Sequence, residues 1–394
     1  MVREIKAKPT RREFLRAGLV SGGLSVAGLC DIPLLLSAPK DNPFAGGKQV
    51  GTVEFIQEGR VQMDAPIGAE LDGRLYTDLS ELTGVNQITP TERFYLRTRP
   101  SKLLPDAKLW SVRIDGLVAS TSSVPIENLR RETRTVGLHL MECAGNLGFA
   151  RFGMISAAKW RGVAVAALLE NIKAKKEATH VLVSGFDEYE AKSASSVPGA
   201  SWVFSREELK AAGAFLATEM NGRALTPDHG APVRLVVPGW YGCTCIKWVD
   251  TIALVDESTE ATSQMKEYAA RTQQSGVPAL ASEYQPAMIE QAAMPIRVEK
   301  WLISGKIKYR VVGIAWGGSQ PVKALEIRFN PEEDYVRVDQ FEQRRNDPWT
   351  LWSHAWSPSA PGTYSIRLAV REPQVRARRL DSGYYVRTVD INEI

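Results

Sequence analysis

Histidine and cysteine are both scarce here, with four of each in 394 residues. Four cysteines cannot staple a chain of this length, so any that matter do so through their chemistry. No Cys-x-x-Cys-His run is present, which excludes a covalently attached c-type haem of its own. There is no glycine fingerprint for a dinucleotide after a strand, and no cysteine cluster for iron and sulfur. Concentrated charge is also missing: 49 Lys and Arg face 45 Asp and Glu. A near-neutral body excludes nucleic acid as the main partner, because phosphate binding needs a dense basic face. A clean apolar run of roughly 20 residues, the length of a membrane span, is absent too.

What is present is ordinary globular composition, 44% hydrophobic and 24% charged, at a length that suits two or three domains. Residues 1–38 read as a twin-arginine signal. Arg11-Arg12-Glu13-Phe14-Leu15 precedes a weak apolar stretch interrupted by Gly22, Gly23, Asp31 and Pro33. A membrane anchor is the alternative, weakened by those breaks. The expected location is therefore the periplasm or another exported compartment, reached through the twin-arginine export machinery. Residues 39–74 form an extended arm. Residues 75–256 mix short apolar runs with helical stretches, an α+β pattern: strands near 110–114, 136–141, 180–184 and 233–237, helices over 163–172 and 206–211. Residues 257–294 read as a polar connection. Residues 295–394 carry strand-like runs at 311–316, 322–329, 349–356 and 363–370, separated by Gly-Gly, Asn-Pro and Pro-Gly turns, the mark of a small β-sandwich.

The most informative segment is His139-Leu140-Met141-Glu142-Cys143-Ala144-Gly145-Asn146. A strand ends here, and small residues let the backbone turn closely around a lone cysteine. A thiolate so placed could be a nucleophile or a soft metal ligand, although a single free cysteine is more often buried and inert. Further along stand Trp160-Arg161-Gly162-Val163, Glu219-Met220-Asn221-Gly222, Asp228-His229-Gly230-Ala231-Pro232-Val233-Arg234, Val237-Pro238-Gly239-Trp240 and Lys247-Trp248. In that order these motifs resemble the sulfite oxidase family of molybdenum enzymes.

The resemblance implies an α+β domain that holds molybdenum through the dithiolene of molybdopterin, followed by an immunoglobulin-like sandwich that forms a homodimer. It implies Cys143 as the thiolate ligand to the metal. Arg97, in Phe94-Tyr95-Leu96-Arg97, would face an anionic substrate, and Tyr268 would stand beside the metal. Tyr95, Asp187, His229, Arg234 and Lys247 would contact the pterin and its phosphate. The chemistry is apt: an anionic phosphate suits Arg, Lys and an imidazole donor, and Asp accepts from pterin N–H groups. On residue chemistry alone, His229 would as readily cap a loop carbonyl, and Arg234 and Lys247 would be solvated charges at strand ends.

Three departures stand out. Leu147-Gly148 occupy positions where sulfite-oxidising relatives commonly carry two arginines, and Thr98-Arg99 stand where they carry Asn-His. Arg151 is a nearby cation, more at home on the surface. The third is Cys243-Thr244-Cys245, read as two small strand side chains rather than a chelate, since four metal ligands cannot be assembled there. Arg371, Arg376, Arg378 and Arg379 read as a solvated basic face. The expected function is oxygen-atom and electron transfer on a small substrate, sulfite or a related sulfur compound, with an external c-type cytochrome as acceptor. The alternatives are an S-oxide or N-oxide reductase on the same scaffold, and a non-catalytic molybdopterin-binding subunit.

Overall fold

The computed structural model describes residues 43–394, apart from 57, 60, 171, 194, 195, 197, 346 and the side chain of 149. The twin-arginine segment lies outside the described residues. Period-two burial organises the rest. In Ser111–Gly116, Val112 and Ile114 point inward while Ser111 and Arg113 are exposed. In Trp349–Trp356, Trp352, His354 and Trp356 alternate with half-buried Leu351, Ser353 and Ala355.

Two five-stranded sheets build the 111–255 region. The first is wholly antiparallel: Arg234–Val236, Phe215–Met220, Ile155–Ala164 and Arg134–Glu142 lie side by side, with Arg223–Ala224 added to the second of them. The second runs Ser122–Pro125, Ser111–Gly116, Val249–Val255, His180–Gly185, Ser201–Ser205, with one parallel pair between Val249–Val255 and Ser111–Gly116. Short helices fill the connections. Arg206–Ala211 begins with a reciprocal cap, in which Ser205 Oγ accepts from the Glu208 amide and the Glu208 carboxylate accepts from the Ser205 amide. The helix read over 163–172 is shorter: Ile155–Ala164 stays in the sheet and only Val165–Glu170 is helical. Paired with Phe215–Met220, the β-branched Val163 keeps the extended conformation that its local helical spacing had obscured.

Two four-stranded sheets make the C-terminal sandwich, which gives the α+β chain its all-β end. One carries Ala292–Ile303, Lys306–Trp316 and Trp349–Trp356; the other Val336–Arg337, Glu326–Arg328, Gly362–Ala369 and Arg387–Ile391. Their faces meet through aromatic rings. Trp356 stacks on Phe329 at 4.2 Å and meets Tyr364 edge-on at 4.9 Å. Within the arm, Lys48–Val53 is a strand that pairs with Ala292–Ile303. The segment 257–294 holds the short helix Ser263–Tyr268 and the start of that same long strand. The run 322–329 is a strand only over Glu326–Arg328.

Candidate functional site

Cys143 follows the last residue of Arg134–Glu142, and its loop closes on itself. The Cys143 amide donates to the Met154 carbonyl at 2.9 Å. Asn146 ties the far side: its amide group donates to the Phe152 carbonyl at 2.9 Å, and its Oδ1 accepts from the Met154 amide at 3.1 Å. The thiol is thereby held buried at a fixed point, and its Sγ accepts from the Gly145 N–H at 3.3 Å. Burial raises the Cys143 thiol, while that N–H and the Arg97 charge favour the thiolate.

Cys143 faces an open cavity of about 900 Å³. Tyr95, Arg97, Asp187, Arg234, Lys247 and Tyr268 line it as well. These positions span the chain, and different elements bring each one in. Arg97 follows a bridge in which Leu75 and Leu96 exchange backbone hydrogen bonds. Asp187 follows His180–Gly185, and its carboxylate accepts from the Ala200 N–H at 2.8 Å. Tyr268 closes the helix Ser263–Tyr268, capped by Thr262. Gly242 leaves room for Tyr95, since a Cβ there would sit 2.3 Å from its hydroxyl.

His229 is the exception. It is buried but not among the residues lining the cavity. Its Nε2 donates to the Thr91 carbonyl at 2.7 Å, the ring stands edge-on to Phe94, and Nδ1 has no partner among the described residues. Burial lowers its pKa to about 4, so the ring is neutral. It supports Arg234, which donates to the His229 carbonyl at 3.2 Å.

The electrostatics are lopsided. Arg234 is buried, yet its partners are the carbonyls of His229 and Cys245 and the sulfur of Met141. Lys247 is half-buried and donates to the carbonyls of Thr98 and Asp228; burial first, then the Arg234 charge, push its pKa well down. Arg97 donates to Ser196 Oγ at 2.9 Å. Arg74 stands behind it and shares that hydroxyl, donating also to the Arg97 carbonyl. None of these cations forms an ion pair among the described residues. Asp228, a carboxylate on the cavity wall, is taken by Arg99 at 2.9 Å. Arg99 thus pins the Asp228-His229-Gly230 turn. Partly buried cations held only by neutral groups are costly unless an anion completes them.

Arg74, Ser196 and Tyr189 were not legible as site residues in the sequence. Tyr189 shares a hydrogen bond with Asp187, and burial raises both groups. No motif surrounds any of the three, and only the converging loops reveal them.

The residues fit a phosphorylated pterin. Arg234 and Lys247, without ion pairs among the described residues, would meet a phosphate, and half-buried Asp187 would offer an acceptor. They also fit a metal that brings most of its own donors. Among the described residues no group of three or more His, Cys, Asp or Glu side chains is placed to hold an ion, and Cys143 is one thiol the cavity offers. Cys243 and Cys245 are free, buried thiols on the cavity wall.

The basic run near the C-terminus is not a uniformly solvated face. Arg371 and Arg376 pair with Glu326 and Glu290, and Arg378 is turned inward. It grips Glu142, the residue before Cys143, with both terminal nitrogens at 2.8 Å. Glu142 accepts a third hydrogen bond from Trp316 Nε1, and Arg378 donates also to the hydroxyls of Tyr241 and Tyr385. A sandwich strand and a sandwich loop thus anchor the cysteine strand.

Residues 100–263 match the oxidoreductase molybdopterin binding domain. Mitochondrial sulfite oxidase of Macaca fascicularis is 25% identical over 349 residues, covering 83% of this chain and 61% of that protein. Sulfite oxidase of Gallus gallus is 26% identical, with coverage of 83% and 72%. The NADPH nitrate reductase of Mycosarcoma maydis is 30% identical over 214 residues, 46% of this chain and 21% of that enzyme. This chain therefore spans about three-fifths of the mitochondrial sulfite oxidase and a fifth of the nitrate reductase. Among solved structures, the sulfane dehydrogenase SoxCD of Paracoccus pantotrophus shares the fold, with a TM-score of 0.61, 18% identity, and coverage of 93% of this chain and all of that one. With the matched domain, the ordered motifs, the shared fold and a cavity suited to the cofactor, this chain carries a molybdopterin-binding oxidoreductase domain and is similar to the sulfite oxidases.

Proposed function

We propose that the protein oxidises a small sulfur oxyanion, sulfite or a close relative, and passes the electrons to an external c-type cytochrome. One observation carries the reading: Arg97 shares a cavity with Cys143 and Tyr268 and forms no ion pair among the described residues. When bound, the molybdenum cofactor supplies the oxygen-atom and electron transfer. The chain's residues do the rest. Arg234 and Lys247 take the pterin phosphate, and Asp187 accepts from the pterin ring. Cys143 offers sulfur at a position fixed by Asn146. Arg97 orients the anion with a guanidinium steadied by Ser196. Burial pushes the Tyr268 phenol up, so it stays protonated and can donate a hydrogen bond to the substrate.

We assign the protein to an exported compartment on the strength of the twin-arginine sequence, and to a homodimer through the sandwich by its resemblance to the sulfite oxidases. The test combines metal analysis with turnover. One molybdenum per chain and sulfite-dependent reduction of cytochrome c support the reading. Turnover only in the reverse direction, on S-oxides or N-oxides with a reduced dye, defeats it in favour of a reductase. Absence of molybdenum from correctly matured protein would leave a non-catalytic subunit. Arg97→Met should raise KM for an oxyanion by about ten- to a hundredfold, the loss of one charged hydrogen bond, and barely alter KM for a neutral substrate.

A further inference from the structure

Beside Cys143, Gly145 carries no side chain, and the space above it has two borders. A Cβ built there would lie 3.7 Å from Cys143 Sγ and 3.1 Å from a terminal nitrogen of Arg271. Arg271 closes the turn Ala269–Arg271 that follows Tyr268. Its guanidinium carbon stands 5.5 Å from the centre of the Tyr268 ring. The side chain is exposed and forms no hydrogen bond or ion pair among the described residues, so its N–H donors are uncommitted. The other candidates for charge at this loop are spent or absent: Arg151 pairs with Glu58 at 3.3 Å, and Leu147-Gly148 carry none.

We propose that Arg271, which stands beside the cavity rather than among its lining residues, is a second anion-facing cation, a specificity-determining residue that selects an oxyanion by holding it against Arg97 across the Cys143 and Tyr268 side chains. The inference rests on the oxyanion reading above and adds to it. Arg97 and Arg271 come from different loops, so their forks can engage different oxygens of one small anion.

The experiment uses molybdenum-loaded enzyme as wild type, Arg271→Met and Arg271→Lys. It measures KM and kcat for sulfite, and the Kd of sulfate by calorimetry. Arg271→Met should raise both KM and the sulfate Kd by about tenfold or more, with kcat within about twofold, and Arg271→Lys should recover part of the loss. Unchanged sulfate affinity in Arg271→Met overturns the proposal. A fall in kcat alone, with Kd unmoved, also overturns it and makes Arg271 a positioning residue for Tyr268. Wild-type enzyme that binds no sulfate overturns it too. Wild-type enzyme that binds sulfate but does not oxidise sulfite instead defeats the proposed function, and the sulfate arm still judges Arg271.

Discussion

Replacing Arg378 by Met removes both donors that grip Glu142 and leaves that carboxylate buried, with the Trp316 indole as its remaining donor. The Glu142 side chain is only 2% exposed and that of Arg378 10%, so solvent cannot substitute for the lost partner. Breaking one partner of a buried pair costs about 3–5 kcal/mol, far more than the pair's net worth, because the surviving charge stays desolvated. For a chain of this size that is a fall in Tm of about 4–7 °C. Thermal unfolding of the purified protein is the assay, with Glu142→Gln and the double variant completing a cycle. The double variant should be less damaged than the sum of the single ones, since Gln with Met leaves no buried charge. Because Glu142 precedes Cys143, activity of Arg378→Met should fall with stability. A Tm within about 2 °C of wild type, or strict additivity in the cycle, would refute the reasoning.

Cys143→Ser should fold with unchanged Tm and keep its pterin, while losing nearly all turnover; wild-type rates from that variant would sink the ligand assignment. Lys247→Met should bind the pterin at least tenfold more weakly, read from pterin fluorescence after denaturation. The same change should leave the cofactor-free protein no less stable, because it removes a half-buried cation whose hydrogen-bond acceptors are carbonyls and which has no carboxylate partner among the described residues. For His229 the folded pKa, about 4, lies below its ordinary 6.5, so protonation favours the unfolded chain. Cofactor-free protein should therefore lose up to about 3 kcal/mol as pH falls from 6.5 to 4, and His229→Gln should flatten that slope in urea titrations. An identical slope in the variant would show that His229 titrates normally.

Several parts of this protein were legible in the chain because their causes are local. The alternation in Trp349–Trp356 defines a strand wherever it folds, and Ser205 with Glu208 caps a helix from three residues away. The Cys143 loop reads as a site because its neighbours are small and its motifs fall in order. Val163, by contrast, satisfied a helical pattern and became strand, since its pairing partner lies on Phe215–Met220, out of any local window. His229 has the chemistry of a cofactor contact, but the fold buries it against Thr91 and Phe94, and it is not among the residues lining the cavity. Arg378 carries the charge of a surface run, and only the packing of the sandwich turns it toward Glu142, 236 residues earlier. Arg74, Tyr189 and Arg271 belong to no motif at all. Residue type and spacing determined which chemistry was available; tertiary structure decided which charges were left without partners, because desolvation and pairing depend on neighbours brought together from distant segments.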